Sequence, residues 1–333
     1  MSTDAKKNKN KKNKNRMKRH RERMRNEAEE EAKRIKDENA RLAKENRELK
    51  AKQFNRSFLI SRTSKTVLNN KNEFVFGSIK NYIKEAITKF ERTSLTLKEE
   101  IGSGAFGSIF KATHHNLNIQ VAVKDNKSDN PDFSLCESKV MLKLRSNEHF
   151  PFLFGMIDNK IVMELVQDAN NLPSKSVHQL SKEDKLGSKP LLLSFSKQLL
   201  KAINFFHKQG FLHNDIHSNN VLIRDGKVVK LIDFGKVTMQ LAPLKYRIVP
   251  GSERQKRYNR NHTHLAYELR NILNSKQSIK TDIYSIGHLF ENYFSHGLKN
   301  RQFTKITARM KSVSPDTRPD GHSVLSSLEN IIL

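Results

Sequence analysis

The sequence predicts an α+β chain: a two-lobed domain, β-rich first and helical second, behind a basic N-terminal extension of helical or coiled-coil character. Three observations carry this. Short β-type apolar runs dominate from Leu95 to about residue 166. Helical periodicity then takes over, as in LLLSFSKQLLKAINFFHKQG at 191–210. Strands grouped ahead of helices, rather than alternating with them, indicate an α+β domain. Third, positive charge is concentrated at one end, with 12 Lys and Arg against 2 acids in residues 1–25. At 333 residues the chain has room for one bilobal domain of about 250 residues and an appendage.

Composition narrows the class. Hydrophobic residues make up 36% and mean hydropathy is −0.71, so part of the chain stays out of any packed core. A net charge of +27 favours nucleic acid, acidic protein surfaces or anionic membranes as partners and has no bearing on fold. A single cysteine, Cys136, excludes an internal disulfide framework and a Cys-rich zinc site. No apolar run approaches the ~18 residues of a membrane span. No apolar stretch follows the N-terminal charges, so no secretory signal is expected. The expected location is intracellular, cytoplasmic or nuclear.

Residues 1–26 form a polar, self-repelling tail that cannot bury enough apolar area to offset the entropy of ordering. Its basic stretch, 5–25, suits nonspecific nucleic-acid or import-receptor contact. Residues 27–55 change to Ala, Glu, Lys, Arg and Leu. Ala28, Ile35, Leu42 and Leu49 repeat every seven residues, with Ala32, Asn39, Asn46 and Gln53 four later. This short coiled-coil pattern makes 27–53 the place for a homo- or hetero-oligomeric contact, although its seam is thin and a solvated single helix fits as well. A basic stretch running into heptads resembles a basic leucine zipper, but Ala32 rather than Ile35 lies nine beyond Arg23, and Glu27 and Glu29–Glu31 interrupt. Residues 56–94 form a linker and a packing helix, in which 78–91 place Ile79, Ile83, Ala86, Ile87 and Phe90 on one face. The domain itself covers 95–333.

Four motifs in that domain carry chemistry. Gly102-Ser103-Gly104-Ala105-Phe106-Gly107, flanked by apolar runs, forms a strand–turn–strand hairpin whose backbone N–H groups can approach phosphate oxygens. Alone this is a weak signal. Val121-Ala122-Val123-Lys124 ends a strand on a lysine, ordinarily a solvated strand end. Downstream of the hairpin it can aim an ammonium at phosphates, with Glu137 in SLCESKVMLKL as the carboxylate that holds it. His213-Asn214-Asp215-Ile216-His217-Ser218-Asn219-Asn220 is a polar loop before an apolar strand. In it Asp215 can accept a hydrogen bond from a hydroxyl, and Asn220 can offer its carbonyl oxygen to Mg²⁺. Leu231-Ile232-Asp233-Phe234-Gly235 places a further carboxylate at a strand end, suited to bridging Mg²⁺ and nucleotide phosphates.

In this order the four motifs resemble the eukaryotic protein kinase signature set. Ala266-Tyr267-Glu268 resembles the family's Ala-Pro-Glu, Asp282–Gly287 its Asp-x-Trp/Tyr-Ser-x-Gly helix start, and Arg318-Pro319 the late arginine that pairs with that glutamate. The resemblance implies a bilobal kinase-like fold, with ATP and Mg²⁺ as cofactors and a protein as substrate. It implies that Lys124, tied to Glu137, contacts the α- and β-phosphates, that Asp215 is the catalytic base, and that Asn220 and Asp233 hold Mg²⁺. Ile101, Ile109, Ala122 and Leu222 would sandwich the adenine beneath the 102–107 turn. Met163 would be the gatekeeper and Glu164-Leu165-Val166 the hinge. His213, Phe234, Met141 and Met156 would stack as a spine anchored near Asp282.

Departures from the family pattern refine this. Asn214 replaces the arginine of His-Arg-Asp that grips an activation-loop phosphate, so the site should assemble without loop phosphorylation. His217 replaces the lysine common in Ser/Thr kinases, and the Tyr-kinase pattern is absent too. Ser/Thr is the expected substrate class. Tyr267 in place of proline puts the geometry of the substrate-docking loop in question. Between Gly235 and Glu268, seven basic residues face one acid, Glu253, which suits a solvated loop or a preference for acidic or phosphorylated substrates. His213–His217 also resembles small-molecule phosphotransferases of the choline and aminoglycoside kinase type, which generally lack the glycine hairpin. The alternative to an active enzyme is a pseudokinase scaffold dimerised through its N-terminal helix.

Overall fold

The computed structural model describes residues 87–104, 107–127, 131–243 and 251–333. Contacts divide the chain into units 1–64 and 65–333, and every element below belongs to the second. The basic tail, the heptad segment, Ala105, Phe106, Lys245 and Arg247 lie outside the described residues.

The first lobe is an antiparallel sheet. Its strands are Leu95–Ser103 (β1), Gly107–His114 (β2), Ile119–Asn126 (β3), Leu153–Ile157 (β4) and Lys160–Glu164 (β5), in the order β1–β2–β3–β5–β4. β3 lies in the middle, and Val121, Ala122, Val123 and Lys124 are all buried. Helix α1, Pro131–Leu144, buries Glu137, Val140, Met141 and Leu144, the spacing of one helical face, and packs on β4 and β5.

The helix predicted over 78–91 does not reach through 87–91. Thr88–Phe90 lie extended beside β4: the Met156 N–H donates to the Thr88 carbonyl at 2.8 Å and the Phe90 N–H to the Met156 carbonyl at 2.9 Å. Gly155 permits the approach, because a Cβ there would fall 2.3 Å from the Thr88 oxygen. Covering the β4 edge satisfies backbone groups that a helix would leave unpaired. The apolar side chains are still used. Ile87 packs on the core, and Phe90 meets His114 edge-on at 4.6 Å.

The second lobe opens with helix α2, Val177–Lys182, capped reciprocally by Ser176 and Gln179, and the 20-residue helix α3, Lys189–Lys208. α3 buries Leu192, Leu199, Ile203 and Phe206 along one stripe, and Gly210 turns the chain beyond it at φ +84°. Two short two-stranded sheets follow. Phe211–Leu212 (β6) pairs with Thr238–Met239 (β9), and Val221–Arg224 (β7) with Val228–Leu231 (β8). Five further helices follow: α4 Glu253–Asn261, α5 Tyr267–Asn271, α6 Ile279–Leu289, then α7 Ser295–Leu298 beyond a π-helical turn, and α8 Arg301–Met310. Helix α9, Gly321–Glu329, packs back against α3. Among the described residues no helix is long and apolar enough to cross a membrane.

One buried apolar cluster joins the lobes. Phe150 lies 5.9 Å from Phe206 and 6.1 Å from Phe234, ring centre to ring centre. Elsewhere Arg318, fully buried, grips Glu268 with two bonds of 2.7 Å and lies 4.9 Å over the Tyr284 ring. Tyr267 occupies the first position of α5, where a proline is welcome but not required, so Glu268 still reaches its arginine.

Candidate active site

A cleft of about 810 Å³ opens between the lobes. β1 gives it Ile101, Gly102 and Ser103, the turn gives Gly104 and Gly107, and β2 gives Ile109. Ala122 and Lys124 come from β3, Glu137 from α1, and Met163, Glu164 and Val166 from β5 and the segment after it. Asn220, Leu222 and Asp233 complete the second-lobe wall. Thus every described residue predicted for the site lines the cleft except Asp215, which is buried just outside its lining.

The glycines differ in their reasons. Gly107 is needed for the close approach of β2 and β3, since a Cβ there would lie 2.4 Å from the Asp125 carbonyl oxygen. At Gly104 a Cβ would meet nothing within 4 Å, so close packing does not account for this glycine. The Gly104 carbonyl accepts from the Lys127 ammonium at 2.7 Å.

Lys124 lies between two carboxylates. Its ammonium donates to Glu137 at 2.6 and 2.8 Å and to Asp233 Oδ1 at 2.9 Å. Burial pushes this lysine's pKa down, but the two carboxylates outweigh it, and the ammonium stays charged well beyond the usual lysine range. The two acids share one cation unequally. Burial, with Asp233 nearby, raises Glu137 against the pull of Lys124, whereas at Asp233 the same lysine overcomes burial and lowers the pKa. Glu137 also accepts from the Phe234 N–H at 3.2 Å, a link that spacing along the chain did not reveal.

Asp215 has the inverse setting. Lys236 donates to its Oδ1 at 2.8 Å, His264 Nε2 stands 3.5 Å from the same oxygen, and His217 Nε2 is 3.8 Å from Oδ2. Burial alone would raise this carboxyl, but the imidazoles of His217 and His264 and the Lys236 ammonium hold it well below the usual carboxylate range. The Asn220 amide donates to the Asp215 carbonyl at 3.0 Å, which leaves Asn220 Oδ1 without a hydrogen bond among the described residues. Asn214, at φ +67°, donates from its side chain to the Lys236 carbonyl at 2.8 Å and to Thr238 Oγ1 at 3.0 Å. It thereby ties the backbone of the loop bearing Asp215 to the segment after Asp233.

Asp282 anchors this loop from below, accepting from the backbone N–H groups of His213 and Asn214 and pairing with His207, each at 2.9 Å. His213 sits 5.6 Å from Phe206 and 5.8 Å from Phe234, ring centre to ring centre. Burial lowers its pKa, so it packs as a neutral ring. Met141 shares Phe234's core cluster, whereas Met156 is buried in β4 outside it. Sequence reasoning missed Lys230 and the side chain of Glu164. Buried Lys230 bonds Glu164 at 2.8 Å, joining the end of β5 to the β7–β8 hairpin of the other lobe. It missed Lys236 and His264 at Asp215 as well. Only the position of Lys236 directly after Asp233-Phe234-Gly235 carried a hint.

Residues 95–315 match the family described as the protein kinase domain. The chain is 25% identical over 230 residues to the tyrosine-protein kinase transforming protein Abl of Abelson murine leukemia virus, covering 67% of this chain and 29% of that protein. It is 31% identical over 159 residues to the inactive tyrosine-protein kinase kin-32 of Caenorhabditis elegans (44% and 18%). To cyclin-dependent kinase 12 of the same organism it is 27% identical over 162 residues (44% and 22%). The chain thus spans less than a third of the length of each of these relatives.

Proposed function

The chain belongs to the protein kinase family, and from that premise we propose that it is an active enzyme, moving the γ-phosphoryl group of ATP to a protein hydroxyl, serine or threonine in preference to tyrosine. The observation that carries this is the convergence of Lys124, Glu137 and Asp233 within 2.9 Å contacts on one cleft, beside a loop bearing Asp215 and Asn220. One relative is named inactive. In this chain all five polar residues that phosphoryl transfer needs are present together.

The cleft suits nucleotide and metal. No side chain at Gly102 or Gly104 stands between the turn and a phosphate, and Ile101, Ile109, Ala122 and Leu222 supply apolar walls for a base. Asp233 and the spare Asn220 Oδ1 are hard oxygen donors of the kind Mg²⁺ takes, with phosphate oxygens and water completing its shell. Among the described residues no group of three or more His, Cys, Asp or Glu is placed to hold a metal without such help. Bound magnesium would neutralise charge on the phosphates during transfer. Lys124, fixed by Glu137, orients the α- and β-phosphates. Asp215 accepts the hydrogen bond of the attacking hydroxyl and orients it, a role that suits a carboxylate kept ionised. Asn214 already bonds the segment after Asp233, so the site assembles without a loop phosphate.

The catalytic loop carries neither the lysine common in Ser/Thr kinases nor the tyrosine-kinase pattern after Asp215, so the preference for serine and threonine rests on their prevalence as substrates across the fold family. Arg254, Arg257 and Arg260, exposed on α4, line a recess of about 280 Å³ with Glu253 and favour acidic or phosphorylated peptides. Oligomeric contact through 27–53, and nucleic-acid or import-receptor contact through 5–25 in the cytoplasm or nucleus, complete the proposal. Incubation with γ-labelled ATP and generic protein substrates, followed by phosphoamino-acid analysis, tests it. Labelled phosphoserine or phosphothreonine is expected. Phosphotyrosine alone would overturn the substrate class, and no label in any substrate would leave the scaffold reading.

A further inference from the structure

We propose that Lys236 is a positioning residue for phosphoryl transfer, supplying at Asp215 the positive charge that the catalytic loop itself lacks. This rests on the functional reading above and deepens it. The loop carries His217 two residues after Asp215, and its Nε2 stays 3.8 Å from Oδ2, beyond hydrogen-bond reach. Lys236 arrives from a different segment. Its ammonium bonds Oδ1 at 2.8 Å, an ion pair in which the Asp215 side chain is 6% exposed and Lys236 32%.

The two departures in the catalytic loop are connected through this residue. Asn214 donates to the Lys236 carbonyl at 2.8 Å, so the backbone that carries the ammonium is held by the neighbour of the carboxylate it serves. Thr238, which also accepts from Asn214, donates in turn to Gln277 at 3.1 Å. The lysine is therefore fixed at both ends, through its carbonyl and through its ammonium. With Oδ1 committed to Lys236, the carboxylate has one orientation, and Oδ2 keeps lone pairs for a substrate hydroxyl. The same charge stands beside the position where negative charge gathers on the transferring group, and a preorganised cation there stabilises the transition state.

Asp215 faces Lys236 from the segment after Asp233, His217 from its own loop and His264 from the loop before α5. His213 and Asp233 act on it at longer range.

The full-length protein is assayed with Mg-ATP and a protein substrate, comparing wild type, Lys236→Met, Lys236→Arg and Asp215→Asn. Lys236→Met should lower kcat about 10- to 100-fold while KM for ATP stays within about twofold. Lys236→Arg should recover at least about a third of wild-type kcat, because it restores the cation. A Lys236→Met enzyme with unchanged kcat overturns the proposal. So does a faster one, which would make Lys236 a plug over the base. A wild type no faster than Asp215→Asn overturns the functional reading itself and this inference with it.

Discussion

The two charged centres of the cleft are built with opposite balance. At Lys124 one cation stands between two carboxylates, Glu137 and Asp233. At Asp215 one carboxylate stands among a lysine and two imidazoles. The first is short of positive charge and suits a divalent cation. The second holds its negative charge firmly and suits a hydroxyl and an incoming phosphoryl group. A single loop carries Asp215 and Asn220 and so fixes the distance between the two chemistries. What differs is the balance of acidic and basic groups, and that balance decides which species each centre attracts.

Removing the cation of the first centre should have the largest effect. Lys124→Met leaves buried Glu137 and half-buried Asp233 without their shared cation, and kcat/KM should fall about 10²- to 10³-fold, read by steady-state kinetics in ATP. Survival of full activity would show that the two centres are not divided as described. A balanced ion pair remote from both is the control. Glu268→Ala strands buried Arg318 and should cost about 3–5 kcal/mol in denaturant unfolding, with the pH–rate profile of the folded fraction unmoved. Lys230→Met removes the buried cation that ties Glu164 to the other lobe, with an expected loss of about 1–3 kcal/mol. A comparable loss in Arg224→Met, whose contact with Glu164 is longer at 3.4 Å, would contradict that ranking.

The smallest effect concerns acid stability. Burial, then Lys311 and His264, lower the His288 pKa from 6.5 to about 4. A histidine with a folded pKa below its unfolded one leaves stability intact above about pH 6.5 and erodes it as pH falls toward 4. Melting temperature should therefore decline across that window, and His288→Gln should flatten the decline. An equal slope in the variant would place the acid sensitivity elsewhere.

Much of this site was legible in the sequence because several of its positions admit few residues. Gly107, where a Cβ would lie 2.4 Å from the Asp125 carbonyl oxygen, and Asp233, at φ +64°, each leave a local trace. Glu137, Glu268 and Arg318 could be placed by motif and spacing, and their pairings came out as expected. Lys236, His264 and Lys230 could not. Each acts on a residue 21, 49 or 66 positions away in the chain, and an isolated basic residue has no pattern to mark it. The error at 87–91 has a similar source. Helical spacing of Ile87 and Phe90 was real, but the gap made by Gly155 on another strand decided their conformation.

The most direct test of the central claim is incorporation of labelled phosphate by wild type, Lys124→Met and Asp215→Asn, purified identically and assayed with Mg-ATP. Incorporation by the wild type, with both variants reduced to background, is the predicted result. Equal incorporation by all three would mean that neither charged centre performs the transfer, and would contradict it.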